Sequence, residues 1–132
     1  MQKEIKQTWF FKQTPQEVWE YLTNPELIEQ WLMKSDFQPI VGHKFRFISP
    51  QGTEHYCEVL EVNPFTKLSY SWKKDNMPFN STVTWTLIPK ENGTELHLVH
   101  NDFTALEDVI AHNNGWTILG NRLVELLNKI KK

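Results

Sequence analysis

The fold turns on the stretch Asn113-Asn114-Gly115-Trp116-Thr117-Ile118-Leu119-Gly120-Asn121-Arg122-Leu123-Val124-Glu125-Leu126-Leu127-Asn128-Lys129-Ile130-Lys131-Lys132. Trp116, Leu119, Leu123, Leu126, Leu127 and Ile130 recur at threes and fours, the spacing that lines one face of an α-helix. Asn113 or Asn114 can cap its first turn, Arg122 and Lys129 fall toward the negative end of its dipole, and no proline interrupts it. The pattern predicts a helix running to the end of the chain, roughly 25 Å long at ~1.5 Å per residue, enough to cross a domain of this size. Gly120 breaks the stripe. It lies on the inward face, where glycine costs about 1 kcal/mol of helix propensity against alanine, so the helix there either approaches its partner closely or leaves a space.

Upstream of that helix, residues 44–100 read as strands divided by turns. Phe45 and Phe47 alternate with Lys44 and Arg46, Pro50-Gln51-Gly52-Thr53 turns the chain, and residues 54–62 return as the second arm of a hairpin. Asn63-Pro64-Phe65-Thr66 leads into Leu68, Tyr70 and Trp72 on one face, and Lys74-Asp75-Asn76 opens a loop that reaches Asn80. Val83, Trp85 and Leu87 form the next face, and Glu91-Asn92-Gly93-Thr94 turns into Leu96, Leu98 and His100. At the start of the chain, Ile5, Gln7, Trp9 and Phe11 alternate with Glu4, Lys6, Thr8 and Lys12, which predicts a further strand. Thr14-Pro15-Gln16-Glu17 is a capping box with proline at the first helical position, and Asn24-Pro25 starts a second short helix whose Leu27, Ile28 and Trp31 face inward. A meander of this kind has one face to bury, and the long amphipathic helix is what remains to cover it. The expected architecture is α+β, a single domain over residues 1–132. A curved antiparallel sheet of about six strands wraps the long C-terminal helix, with two short helices after the first strand.

At 132 residues one core is expected, and six Trp, eight Phe and three Tyr let few side chains fill it or line a pocket. A net charge of −2 with interspersed signs offers no basic stripe for phosphates, which argues against nucleic acid. No apolar run approaches a bilayer span and the first residues carry no apolar signal core, so no membrane partner is expected and the location reads as cytoplasmic. The single cysteine, Cys57, excludes an internal disulfide and four-cysteine zinc patterns.

Val18-Trp19, Thr23-Asn24-Pro25, Trp31, the Asn63-Pro64 turn before Leu68, Gly93-Thr94-x-Leu96-x-Leu98-x-His100 and Gly115-Trp116 follow one another in a recognisable order and spacing. In these the sequence resembles the activator of heat-shock-protein-90 ATPase homologue family, within the START-like (SRPBCC) helix-grip superfamily, over about residues 4–130. The resemblance implies a deep, largely apolar cavity between sheet and last helix, which other members of the superfamily use for lipids, polyketides and other hydrophobic ligands. It also implies a chaperone as a partner to test. The eukaryotic co-chaperones behind the family name carry a further amino-terminal domain, for which a chain of this length is expected to leave no room. A cavity of that kind favours a space beside Gly120.

His97 and His100 are three apart on a strand and so face opposite ways, which prevents joint chelation. His55 and Cys57 share a face but supply two ligands at most, and Cys57 reads as a small buried residue, so no metal and no cofactor is expected. His100 falls inward with Leu96 and Leu98. It is either a core histidine satisfied by its neighbours or a polar contact for a ligand, with Asp102 placed to set its tautomer. Glu58, beside Tyr56, is a further candidate, although the buried face of its strand is ambiguous. The predicted cavity set is Trp9, Phe47, Tyr70, Trp72, Trp85, Leu98, His100, Trp116 and Gly120, with no catalytic residue. The expected function is binding of a small hydrophobic molecule or lipid. The alternatives are a polyketide cyclase or aromatase type of enzyme, in which His100, Asp102 and Glu58 would orient a substrate for proton transfer, and a chaperone-associated module.

Overall fold

Alternation in the first described residues produces strand β1 (Ile5–Phe11), with Ile5 and Phe11 buried and Lys6, Thr8 and Phe10 in solvent. The computed structural model describes residues 4–74, 80–103 and 106–129. After β1 the capping box closes. The Thr14 hydroxyl accepts from the Glu17 backbone N–H, and the Glu17 carboxylate accepts from that of Thr14 at 2.9 Å, starting α1 (Pro15–Thr23). Asn24 Oδ1 accepts from the Glu26 N–H at 3.0 Å and starts α2 (Pro25–Trp31), which buries Ile28 and Trp31.

The remaining strands are β2 (Lys34–Ser35), β3 (Lys44–Ile48), β4 (Glu54–Asn63), β5 (Lys67–Lys74), β6 (Ser81–Lys90) and β7 (Gly93–Asn101). They pair antiparallel in the order β1-β7-β6-β5-β4-β3-β2, a curled sheet of seven strands: the six read from the sequence and the two-residue β2 at the edge. β7 comes back beside β1, with Ile5 opposite His100 and Trp9 opposite Leu96. Gly93 makes this possible. Its φ is 153°, and a Cβ there would run into the Phe11 carbonyl on β1.

The ambiguous face of β4 has a physical cause. Its pairing with β5 shifts between Val59 and Glu61, so the alternation changes partway along; before the shift His55, Cys57 and Val59 point inward and Tyr56 outward.

The concave face is filled by α3 (Leu106–Asn128), which buries Trp116, Gly120, Leu123 and Leu127, while Leu119 and Leu126 are half-buried. Its start corrects the expected cap at Asn113 or Asn114. The helix begins about two turns earlier, where Glu107 and Asp108 complement its positive end. Ile130, Lys131 and Lys132 of the expected helix lie outside the described residues, as do Asp75 and Asn76 of the expected loop. Among the described residues no helix is long and apolar enough to cross a membrane.

The space expected beside Gly120 is not there. A Cβ on Gly120 would overlap the Trp9 indole, so the missing side chain brings the helix down onto β1. Gly120→Leu should therefore lower the unfolding free energy in urea by about 1–3 kcal/mol or more, although it gains up to ~1 kcal/mol of helix propensity. In a Trp9→Ala background the loss should shrink, because the obstructing ring is gone; equal losses in both backgrounds would show that this contact does not set the approach.

Candidate functional site

Toward the amino-terminal half of α3 the packing opens into a cavity of about 170 Å³. Its floor is buried: His55 from β4, Trp72 from β5 and Trp116 from α3. Met33, which follows α2, and Ala111, His112, Gly115 and Leu119 on α3 form its walls and rim. Strand alternation turns His55 and Trp72 to the inner face, where their ring centroids are 4.7 Å apart, and the Trp116 centroid lies 5.4 Å from that of Trp72. Helical spacing brings His112, Gly115, Trp116 and Leu119 to the same face of α3. A Cβ on Gly115 would meet nothing within 4 Å, so this glycine faces open space.

Among the described residues the lining contains no carboxylate, lysine or arginine; its polar groups are imidazoles and indoles. The Trp72 Nε1–H donates to His112 Nε2 at 3.2 Å. An indole N–H can only donate, so the His112 proton sits on Nδ1, which reaches the Asp108 carbonyl at 2.8 Å. A larger surface groove of about 470 Å³ beside α3 has Gln30, Ile118, Arg122, Glu125 and Lys129 exposed around the half-buried Leu126. It lacks a buried floor, so the smaller cavity is the better candidate.

His100 lies behind the cavity and is fully buried. The Trp116 Nε1–H donates to its Nδ1 at 2.9 Å, its Nε2 lies 2.8 Å from Ser81 Oγ, and the Ser81 hydroxyl donates to the Trp72 carbonyl at 2.8 Å. Every donor has an acceptor when His100 is neutral with its proton on Nε2. Burial holds its pKa well below the ordinary 6.5, and the nearby His112 and His55 add to the effect. Of the two readings left open for His100, the structure shows the satisfied core histidine.

Of the remaining predicted set, Trp72 and Trp116 line the cavity, and the others fill the core beside it. Trp9 lies against Gly120 and 6.2 Å from Trp85. Trp85 packs edge-on to Trp31 and Trp116 and donates to the Tyr70 hydroxyl at 2.9 Å. Phe47 packs 5.8 Å from Tyr70, and Leu98 is fully buried. The sequence reading missed Met33, Ala111, His112, Gly115 and Leu119 as lining, and it considered His55 only beside Cys57. His112 and Ala111 were hidden by the late helix start.

The residues weighed for catalysis do not converge. Glu58 lies on the strand face opposite His55, Cys57 and Val59, and its backbone N–H donates to Ser71 Oγ. Asp102 has a φ of 70°, is exposed, and accepts from the Thr82 hydroxyl at 2.9 Å instead of reaching His100. The left-handed turn ends the alternation that would have kept it inward. Cys57 is buried, and burial pushes its thiol up, away from the reactive thiolate. His97 pairs with Glu95 at 2.7 Å on the outer face. Among the described residues no group of three or more His, Cys, Asp or Glu is placed to hold a metal ion.

Comparison with known proteins places this geometry among relatives. A family model described as Activator of Hsp90 ATPase homolog 1-like protein matches residues 12–128. The crystal structure of protein MLL2253 from Mesorhizobium loti is 34% identical, with 98% of this chain and 99% of that one covered and a TM-score of 0.92. DynU16, a putative protein in the dynemicin biosynthetic locus, is 23% identical with a TM-score of 0.88; the match covers 96% of this chain but 47% of DynU16. The Aha1 dimer from Colwellia psychrerythraea is 22% identical with a TM-score of 0.80, covering 94% of this chain and 95% of that one. At those two identities the likeness is one of fold. No curated protein matches the sequence.

His100 generates a pH prediction. As pH falls through 6.5, the unfolded chain takes up a proton at this residue and the folded chain does not. Its contribution is complete above that value and declines below it, by up to about 1.4 kcal/mol per pH unit, until the folded histidine itself titrates. Urea midpoints between pH 7.5 and 5 should fall in the wild type. They should fall less in His100→Gln, which starts from a lower stability; parallel slopes would assign the dependence to other groups.

Proposed function

The chain belongs to the Activator of Hsp90 ATPase homolog 1-like protein family, and from that premise we propose that it binds a small, mainly apolar aromatic molecule in the cavity between sheet and α3. The cavity itself is the observation that carries this reading: a buried floor of two indoles and an imidazole beneath a rim of Met33, Ala111 and Leu119. Its volume, about 170 Å³, is below the roughly 300–1,000 Å³ of drug-sized sites and close to the ~150 Å³ that accommodates benzene. A ligand of one or two fused rings suits that space; a lipid does not. Flat indole walls favour stacking, the His55 imidazole on the floor offers a polar contact for a hydroxyl or carbonyl, and the lack of a charge among the described lining residues favours a neutral molecule.

Binding without turnover is preferred over the cyclase reading because His100 is bonded within the core, Asp102 is exposed and bonded to Thr82, and Glu58 lies on the strand face opposite His55. A chaperone partner draws on the family description alone. The lone buried Cys57 suits a reducing compartment such as the cytoplasm.

Calorimetric titration with 2-naphthol should release or absorb heat saturably, and the ligand should raise the melting temperature. Gly115→Phe, which directs a ring into the open space at that position, should abolish the response while the protein stays folded. If a panel of one- and two-ring aromatics gives neither heat nor stabilisation, the cavity is no ligand site and the partner-binding reading takes its place.

A further inference from the structure

The two halves of α3 are unlike. The residues it buries, Trp116, Gly120, Leu123 and Leu127, all follow Gly115. In the half before it, Leu106, Glu107, Ile110 and Ala111 are exposed, and Asp108, Val109 and His112 are half-buried. Between the halves stand Asn113, Asn114 and Gly115, three weak helix formers in succession, which in the sequence read as a helix start. The helix is clamped to β1 at this point. Gln7 Nε2 lies 3.0–3.1 Å from the Asn113 carbonyl and Oδ1 and from Thr117 Oγ1. Beyond the clamp, the first half is held by Val109 against the core, by the 3.2 Å bond from Trp72 to His112, and by ring contacts of His112 with Trp72, His100 and Phe103. That half also contributes Ala111 and His112 to the cavity, so moving it away opens the cavity from the side.

Resting on the binding reading, we propose that residues 106–112 are a lid over the cavity, hinged at Asn113-Asn114-Gly115 beside the Gln7 clamp and latched by the Trp72–His112 hydrogen bond. Local opening of a segment with little buried surface costs less than global unfolding, so the lid opens while the second half of α3 stays packed. Its opening admits and releases the ligand.

Amide exchange followed by NMR on the ligand-free chain tests the lid by itself. Amides of residues 110–113 have partners within the helix, unlike the first four, and should exchange about tenfold or more faster than those of residues 117–127, with a step at the hinge. Asn114→Ala changes an exposed residue to a better helix former and should slow exchange at 110–113 about threefold. His112→Phe removes the acceptor of the latch and should speed it, with 117–127 unchanged. Equal protection along α3, or a smooth gradient from the amino terminus with no step, overturns the lid. Saturating 2-naphthol should slow exchange at 110–113. Heat of binding with no such slowing overturns the lid alone, whereas a step in the free protein with no heat of binding overturns the binding reading and leaves a hinged segment with no ligand to admit.

Discussion

An indole N–H can donate and never accept, and the centre of the molecule is arranged around the one on Trp116. Trp116 is 2% exposed, so its donor needs a protein acceptor, and His100 Nδ1 provides it at 2.9 Å. That choice moves the His100 proton to Nε2, which requires Ser81 Oγ, whose hydroxyl in turn goes to the Trp72 carbonyl. The chain of bonds ties α3 to β7, β6 and β5. Each bond contributes about 1 kcal/mol net, but removing one member leaves a buried orphan costing about 1–3 kcal/mol, so the set holds together or fails together. It also fixes the rotation of the helix. With Trp116 turned to His100, Gly120 must meet Trp9 one turn onward, and His112 must meet Trp72 one turn back.

Much of this fold is written locally in the sequence. The capping box at Thr14 and the N-cap at Asn24 are chemical signals that involve only neighbouring residues, and both helices start where those signals stand. Alternation at Val83, Trp85 and Leu87 or at Leu96, Leu98 and His100 needs only the period of a strand, and these faces are buried as read. Where the reading was indefinite, the cause was not local. The face of β4 depends on a register shift against β5, and the two-residue β2 exists only because β3 lies next to it.

The candidate site was less legible because it depends on what is left unfilled. Period and residue type put Trp9, Phe47, Tyr70 and Trp85 on inner faces, yet they cannot say whether those rings meet one another or a ligand. In the structure they meet one another, and the rings of Trp31, Trp85 and Trp116 occupy much of the space that the resemblance assigned to a deep cavity. Asn113-Asn114-Gly115 misled the reading for a related reason. Its intrinsic preference is for a helix start, and the helix continues through it because Trp116 on one side and Val109 and His112 on the other are drawn to the same sheet.

The two glycines of α3 act in opposite senses. Both lie on the inward-facing side of the helix, five residues apart, and both lower its intrinsic propensity. Gly120 has an indole where its side chain would be, so its absence brings helix and β1 together and closes the core. Gly115 has open space there, so its absence leaves room above Trp72. A helix that crossed the sheet at one uniform distance could not do both. Clamped by Gln7 and seated on Trp9, α3 is anchored along its second half, and the first half must reach over a gap that Trp72, His55 and Trp116 line but do not fill. The close contact at Gly120 and the cavity beside Gly115 are thus two consequences of one docking geometry, and a change that lifted the helix off Trp9 would also alter the shape of the cavity.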